Sequence, residues 1–197
     1  MTSNGNSVNI KSYHHGDLRT ALIAEGLRLL AEGAGETLSL RAVSRNVGVS
    51  ATAVYRHFPD KASLLKALCV EGDARLAACF REARDGAGGG RAGFDAVGRA
   101  YVRFAVNNPA LFRLMMSSFG NDMRVGKGPI GSDAFDILLD GIAELTPPGQ
   151  ADQSRRIAAL QSWSIVHGLA TLMLDGLVPV DESLIEGVIR TPDFGAS

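Results

Sequence analysis

Cysteine is nearly absent: 197 residues contain two, Cys69 and Cys79. They stand ten positions apart on one predicted helix, which separates them by about 80° around its axis and about 15 Å along it, too far to bridge. A disulfide scaffold is excluded, both thiols read as small apolar side chains, and the chain suits a reducing cytoplasm. Long hydrophobic runs are missing too, since none approaches the roughly 20 residues that span a bilayer. The opening MTSNGNSVNIKSYHHGD lacks the apolar segment of a secretory signal, so it reads as a polar arm and no membrane partner is expected. A large net charge is absent as well, at −1, so overall charge does not announce nucleic acid. Metal-ligand spacings, phosphate-binding glycine loops, nucleophile elbows and acid pairs do not occur. The His14-His15 pair has no carboxylate or cysteine placed nearby to complete a metal site. No enzyme, cofactor or metal is expected.

What is present suits a globular protein of one or two domains, with 46% hydrophobic and 21% charged residues. Charge is unevenly divided. Residues 1–66 carry eight Lys and Arg against five acids, a balance of +3 before histidine, and residues 67–197 come to −4. That asymmetry fits one end facing phosphates and another that does not. Apolar residues recur at helical spacing throughout, which predicts an all-α protein of about nine helices. The first should start with Asp17 as its cap, carry Leu18, Leu22, Leu29 and Leu30, and end at Gly33. The nine residues 85–93, DGAGGGRAG, contain five glycines and mark the clearest break in the chain. A fifth helix is expected from about Phe94 to Asn107, a sixth from Pro109 and a loop over residues 120–132. A seventh follows over DAFDILLDGIAEL, stopped by Pro147-Pro148-Gly149, then an eighth from Asp152 to Asp175 and a weaker last one from Glu182 to Ile189.

The stretch Leu38–Lys61, LSLRAVSRNVGVSATAVYRHFPDK, organises the rest. Leu40, Val43 and Val47 share a helical face, with Arg41, Ser44 and Arg45 turned away. Ser39 can cap that helix and Gly48 can end it in the left-handed conformation. Ser50 caps a second helix that Pro59 closes. Two short helices joined by a glycine-containing turn form a helix-turn-helix. The second exposes small Ser50, Ala51 and Thr52, then Tyr55, Arg56 and His57. Small residues let a helix enter a major groove, while hydroxyls and cations reach bases and phosphates. Ser39 and Arg41 complete the candidate DNA-binding set on the first helix.

The segment GVSATAVYRHFPDKASLL resembles the DNA-binding domain of the tetracycline-repressor (TetR) family, through Gly48, Val49, Ser50, Tyr55, His57, Phe58, Asp60, Lys61, Leu64 and Leu65. Tyr13-His14-His15-Gly16-Asp17-Leu18-Arg19 recurs at this place in a subset of TetR-like proteins, which puts Tyr13 or the histidines near the DNA backbone. Gln161 to Leu169, with Trp163 and His167-Gly168, resembles the WHG type of C-terminal domain. The resemblance implies a helix-turn-helix DNA-binding domain over residues 13–66 and a ligand-binding and dimerisation domain over residues 67–190. It also implies a fourth helix, capped by Asp60, whose tilt sets the separation of the recognition helices, with Lys61 facing DNA phosphates. The protein is then expected to be a homodimeric repressor on a palindromic double-stranded operator, released by a small-molecule effector. An effector-independent or architectural DNA-binding protein is the alternative.

Bulky side chains of the second half supply the candidate effector site: Tyr101, Phe104, Phe112, Met116, Phe135, Trp163 and His167, with Met115 and Met173 nearby. Aromatics and methionines with few polar anchors suit an apolar or aromatic ligand. Trp163 and His167 lie four apart on one helical face, so the indole should pack on a ligand that His167 orients. Gly168 in mid-helix costs about 1 kcal/mol relative to Ala, and should permit a close helix approach at a dimer interface.

Overall fold

A computed structural model describes residues 15–33, 35, 37–122, 132–147 and 152–190. The polar arm, Tyr13 and His14, most of the 120–132 loop and Pro148-Gly149 lie outside them. The described residues form nine helices and no strand, in the order α1 (His15–Ala31), α2 (Leu40–Val47), α3 (Ala51–His57), α4 (Lys61–Gly86), α5 (Gly90–Asn107), α6 (Pro109–Asp122), α7 (Asp133–Leu145), α8 (Asp152–Leu174) and α9 (Glu182–Val188). The all-helical expectation holds.

The helix starts follow from short polar side chains. Ser39, Ser50 and Ser132 each accept a backbone N–H of the following first turn through Oγ, and Asp181 does so at α9. Asp60 accepts from the Ser63 N–H at 2.7 Å while the Ser63 hydroxyl accepts from the Asp60 N–H at 3.3 Å, a reciprocal capping box. Three expectations shift. α1 begins at His15, so Asp17 lies inside its first turn rather than before it. The glycine-rich break also shrinks to residues 87–89, because α4 runs on through Gly86 and α5 starts at Gly90. Three residues suffice to reverse the chain since Gly88 and Gly89 both take positive φ, 78° and 74°. α6 likewise extends to Asp122, past the expected loop start at Gly120.

At 26 residues, α4 is about 39 Å long and packs on α1, α5, α6 and α7. Its Leu64 and Leu68 join Leu22, Val43, Val54 and Phe58 of the first three helices, while its Leu76, Ala77 and Phe80 join Tyr101, Phe104 and Phe112. One contiguous apolar cluster therefore runs from α1 to α9, with α4 as its spine. Each fully buried Leu, Val or Phe in it contributes about 1.5–3 kcal/mol. Gly72 lets α4 and α6 close up: a Cβ there would stand 2.6 Å from Met115 Sδ and 3.1 Å from Leu111 Cδ1.

α8 has two faces. Ala158, Ala159, Ser162, Leu169, Ala170 and Met173 are buried, against α5 and α7. Ile157, Leu160, Ile165 and Leu172 are exposed. By length and composition α8 alone among the described helices could cross a membrane. The sequence shows no unbroken apolar run there, because Gln161, Ser162, Ser164 and His167 are interspersed.

Candidate functional site

Local bonds shape the helix-turn-helix. Gly48 takes φ 77° and ψ 30° and returns its N–H to Arg45 O, while the Val49 N–H reaches Ser44 O at 3.0 Å. This is the paired C-terminal bonding that a left-handed glycine permits. Val49 packs against the core cluster, as do Val47 and Ala53. Val54 and Phe58 are buried to 1% exposure or less and anchor α3 from beneath. The Arg19 guanidinium sits 5.3 Å from the Phe58 ring centroid, a cation–π contact. Asn46 donates to Glu25 at 2.7 Å and ties α2 to α1. The Arg28 guanidinium, hydrogen-bonded to Glu25, holds that carboxyl below its usual range against the opposing effect of desolvation.

The surface this leaves is the expected one in most positions. Arg41, Arg45, Ser50, Ala51, Thr52, Tyr55 and Arg56 are exposed, and Ser39, His57 and Lys61 are half-buried. Tyr55 is 47% exposed, a large aromatic presented to solvent where a purely structural helix pair would cover it. The Ser39 and Ser50 hydroxyls serve first as caps, each accepting at 3.2 Å, from Ala42 N and Ala53 N. Each keeps its proton to donate. Ser44 departs from expectation: it is buried, and its hydroxyl donates to Arg41 O at 2.9 Å. Standing four residues after Leu40, it shares the inward face, and a serine is small enough to be accommodated once its hydroxyl is bonded to the backbone.

The second half holds a cavity of about 80 Å³ between α4, α5, α7 and α8, partly open to solvent. Leu76 and Phe80 of α4, Phe94, Val97 and Gly98 of α5, and Ala134, Phe135 and Leu138 of α7 line it, with Ser162, Trp163, Ile165 and Val166 of α8. Met116 of α6 and Ile189 complete its apolar wall. Of the expected effector residues, Tyr101, Met116, Phe135 and Trp163 belong to the lining, whereas Phe104, Phe112 and His167 do not. Phe104 and Phe112 are core side chains, at 6% and 2% exposure.

His167 has a different task from the one its spacing suggested. Trp163 Nε1–H donates to the Tyr101 hydroxyl at 3.2 Å, and that hydroxyl lies 2.9 Å from His167 Nδ1. Indole can only donate, so the phenol oxygen accepts there and its own proton is available to Nδ1. Burial pushes the His167 pKa down, which favours the neutral ring that can accept it. Burial also raises the Tyr101 pKa, with the Trp163 bond opposing. The phenol edge meets the Phe112 ring at 5.5 Å between centroids. His167 thus orients Tyr101 from behind rather than facing the cavity.

Asp73 was missed by sequence reasoning. Buried on α4, it accepts from Ser132 Oγ at 2.6 Å and from the Asp133 N–H at 2.8 Å, pinning the start of α7 to α4. Ser162 was missed as well. It lines the cavity at 8% exposure, and its hydroxyl has no partner among the described residues. Its one signal was a polar residue on the buried face of α8, four after Ala158. Gly168 meets nothing within 4 Å of an added Cβ, so the close approach expected there is not made within the chain. Cys69 and Cys79 are free, and burial raises the Cys69 pKa against the effect of its Ser118 contact. No group of three or more potential metal ligands occurs among the described residues.

Comparison with known proteins places this geometry. Residues 22–68 match the family described as bacterial regulatory proteins, tetR family, and residues 94–190 match the tetracyclin repressor-like C-terminal domain. HTH-type transcriptional regulators of Mycobacterium bovis and Mycobacterium tuberculosis are each 34% identical over 103 residues, covering 51% of this chain and 44% of theirs. The match therefore spans less than half the length of those relatives. A solved protein of unknown function from Rhodococcus sp. RHA1 is similar over 91% of this chain and 93% of its own, with a TM-score of 0.72 and 31% identity. A regulatory protein in the tetR family from Rhodococcus RHA1 shares the fold at TM-score 0.54 and 16% identity, over 89% of this chain and 98% of its own. With a capped helix-turn-helix, an exposed recognition face and matches along both halves of the chain, the protein belongs to the TetR family of DNA-binding transcriptional regulators.

Proposed function

We propose that this chain is a homodimeric, cytoplasmic repressor whose two α3 helices enter successive major grooves of a palindromic operator and are drawn off it by a small apolar ligand in the cavity. Residues 13–66 serve the DNA and residues 67–190 serve dimerisation and ligand. Ser50, Ala51, Thr52, Tyr55, Arg56 and His57 face the groove, with Ser39, Arg41 and Lys61 toward the phosphates. The observation that carries this reading is that α4 bears Lys61 at one end and the cavity residues Leu76 and Phe80 about 22–28 Å further along the same rigid helix. A ligand pressing on Phe80 is thereby coupled to the tilt of the DNA-facing end. It shifts occupancy only by its differential affinity for the two tilts.

Dimerisation through α8 and α9 is supported by where apolar surface lies. Among the described residues, eight of the ten exposed large hydrophobic side chains fall between Ile157 and Val188. On α8, Ile157, Leu160, Gln161, Ser164, Ile165, Gly168 and Leu172 fall within about 140° of arc, opposite the buried face. An exposed stripe of this kind marks an interaction surface, and Gly168 at its centre admits close approach of a second copy. Two-fold symmetry then sets half-sites about one helical turn apart.

The test is selection of duplexes from a random pool by the full chain, followed by titration of the winners. A palindromic consensus bound by two protomers is expected, with light scattering giving a dimer at micromolar concentration without DNA. A monomer, or enrichment with no two-fold sequence, defeats the proposal. An effector-independent DNA-binding protein would give the palindrome while leaving the cavity without influence on affinity.

A further inference from the structure

Ser162 is the one buried polar side chain of the cavity wall left without a bond among the described residues. A serine inside a helix ordinarily folds its hydroxyl back onto the carbonyl four residues earlier, yet this one makes no such hydrogen bond and is shielded from solvent. Buried polar side chains without a partner are rare enough to need a reason. The other polar groups nearby are occupied. Tyr101 and Trp163 bond each other, the Tyr101 hydroxyl lies against His167, and Ser132 and Asp73 hold each other.

We infer that the cavity binds an uncharged, mainly hydrocarbon molecule, a ring bearing a single hydroxyl or carbonyl group, and that Ser162 is the residue that receives this group. The inference rests on the reading of the cavity as the effector site and specifies its ligand. Phe94, Phe135 and Trp163 supply aromatic walls, with the Phe135 and Trp163 rings edge-on at 6.1 Å between centroids, into which a flat ring packs. A serine hydroxyl both donates and accepts, so it serves either a ligand hydroxyl or a ligand carbonyl. A carboxylate is disfavoured. The acids of the wall, Asp73 and Asp95, offer a carboxylate no partner, while Arg190 is exposed, and burying a ligand charge without a partner is costly.

Three matched probes test this on the full chain: 4-ethylphenol, ethylbenzene and 4-ethylbenzoate, titrated by calorimetry and by the fluorescence of Trp163, the single tryptophan of the sequence. With the wild type, 4-ethylphenol should bind about two- to tenfold tighter than ethylbenzene, the span of one net hydrogen bond, and 4-ethylbenzoate weakest of the three. Ser162→Ala should bring 4-ethylphenol down to the ethylbenzene affinity, leave ethylbenzene unchanged or tighter, and keep or raise the melting temperature, because no protein bond is lost. Equal binding of 4-ethylphenol and ethylbenzene in the wild type, a Ser162→Ala variant with an unaltered preference, or a lowered melting temperature overturns the role of Ser162 and leaves the cavity as a site. Tightest binding of 4-ethylbenzoate, lost in Arg190→Ala, overturns the uncharged class. Binding of none overturns both the inference and the effector reading of the cavity. Binding as expected with no effect on the selected duplex sinks the repressor mechanism alone.

Discussion

In the α2–α3 pair the polar bonds that set the caps and the turn join close neighbours, and Asn46 to Glu25 is the longer tie to α1. Ser39 caps residue 42, Ser50 caps residue 53, Gly48 returns to residue 45 and Asp60 pairs with Ser63. Around the cavity the bonds reach across the chain. Ser132 and Asp73 are 59 positions apart, Trp163 and Tyr101 62, and Tyr101 and His167 66. The first region is built by local chemistry over a tight core and presents polar groups outward. The second is built by long-range bonds around space that the core does not fill. A surface that must match DNA geometry benefits from rigid local bonds, and a site that admits a molecule needs walls held from a distance.

The largest expected effect separates the two cores. Phe58→Ala should cost about 3–5 kcal/mol, while Phe135→Ala, half-buried on the cavity wall, should cost about 1 kcal/mol. Denaturant melts on both variants check this, and equal losses would make the cavity wall ordinary core. Next, Asp73→Ala removes the acceptor of the buried Ser132 hydroxyl proton and of the Asp133 N–H, while Ser132 Oγ keeps its bond from the Phe135 N–H. A loss of about 1–3 kcal/mol follows, read as a lower melting temperature. A neutral outcome would show that α7 is positioned by packing alone.

The helix-turn-helix should respond to smaller, local changes. Gly48→Ala imposes left-handed backbone on a residue with a Cβ and should cost about 1–2 kcal/mol, with DNA affinity falling in parallel. Lys61→Ala should weaken binding to all duplexes and reduce the salt slope by about one unit. A change in sequence preference instead would mean that Lys61 reads bases.

The smallest effect is a pH dependence at the cavity. The His167 pKa is held below its usual value by burial, so the unfolded chain takes up its proton first as pH falls. Its contribution to stability is complete above about pH 6.5 and is lost as pH drops toward the lowered folded value. The melting temperature should therefore fall between pH 7 and 5 less steeply in His167→Asn than in the wild type. Identical slopes would place the titration elsewhere.

The helix-turn-helix is largely legible in the sequence because its determinants are neighbours. Caps, the left-handed glycine and the inward stripe sit within a few residues of what they control, and the residues proposed to face DNA are those left outside. Even there Ser44 misleads, since polarity argues outward while its position four after Leu40 argues inward, and position prevails. The cavity proposed as the effector site is legible only as composition. Tyr101, Met116, Phe135 and Trp163 do line the cavity, but Phe104 and Phe112 are core and His167 stands behind Tyr101. Helical period says which residues share a face, not whether that face meets another side chain or empty space.

By itself the sequence determined the helices of the described residues, most of their ends and the surface proposed for recognition, because hydrogen bonds within a turn depend on residues a few positions apart. The tertiary structure alone decided that α4 threads one core from Leu64 to Phe80, that Asp73 anchors α7, and that Ser162 faces a cavity with its hydroxyl unbonded among the described residues. Those outcomes depend on how separate helices approach one another, and packing distances between residues some sixty positions apart are not written in any local pattern.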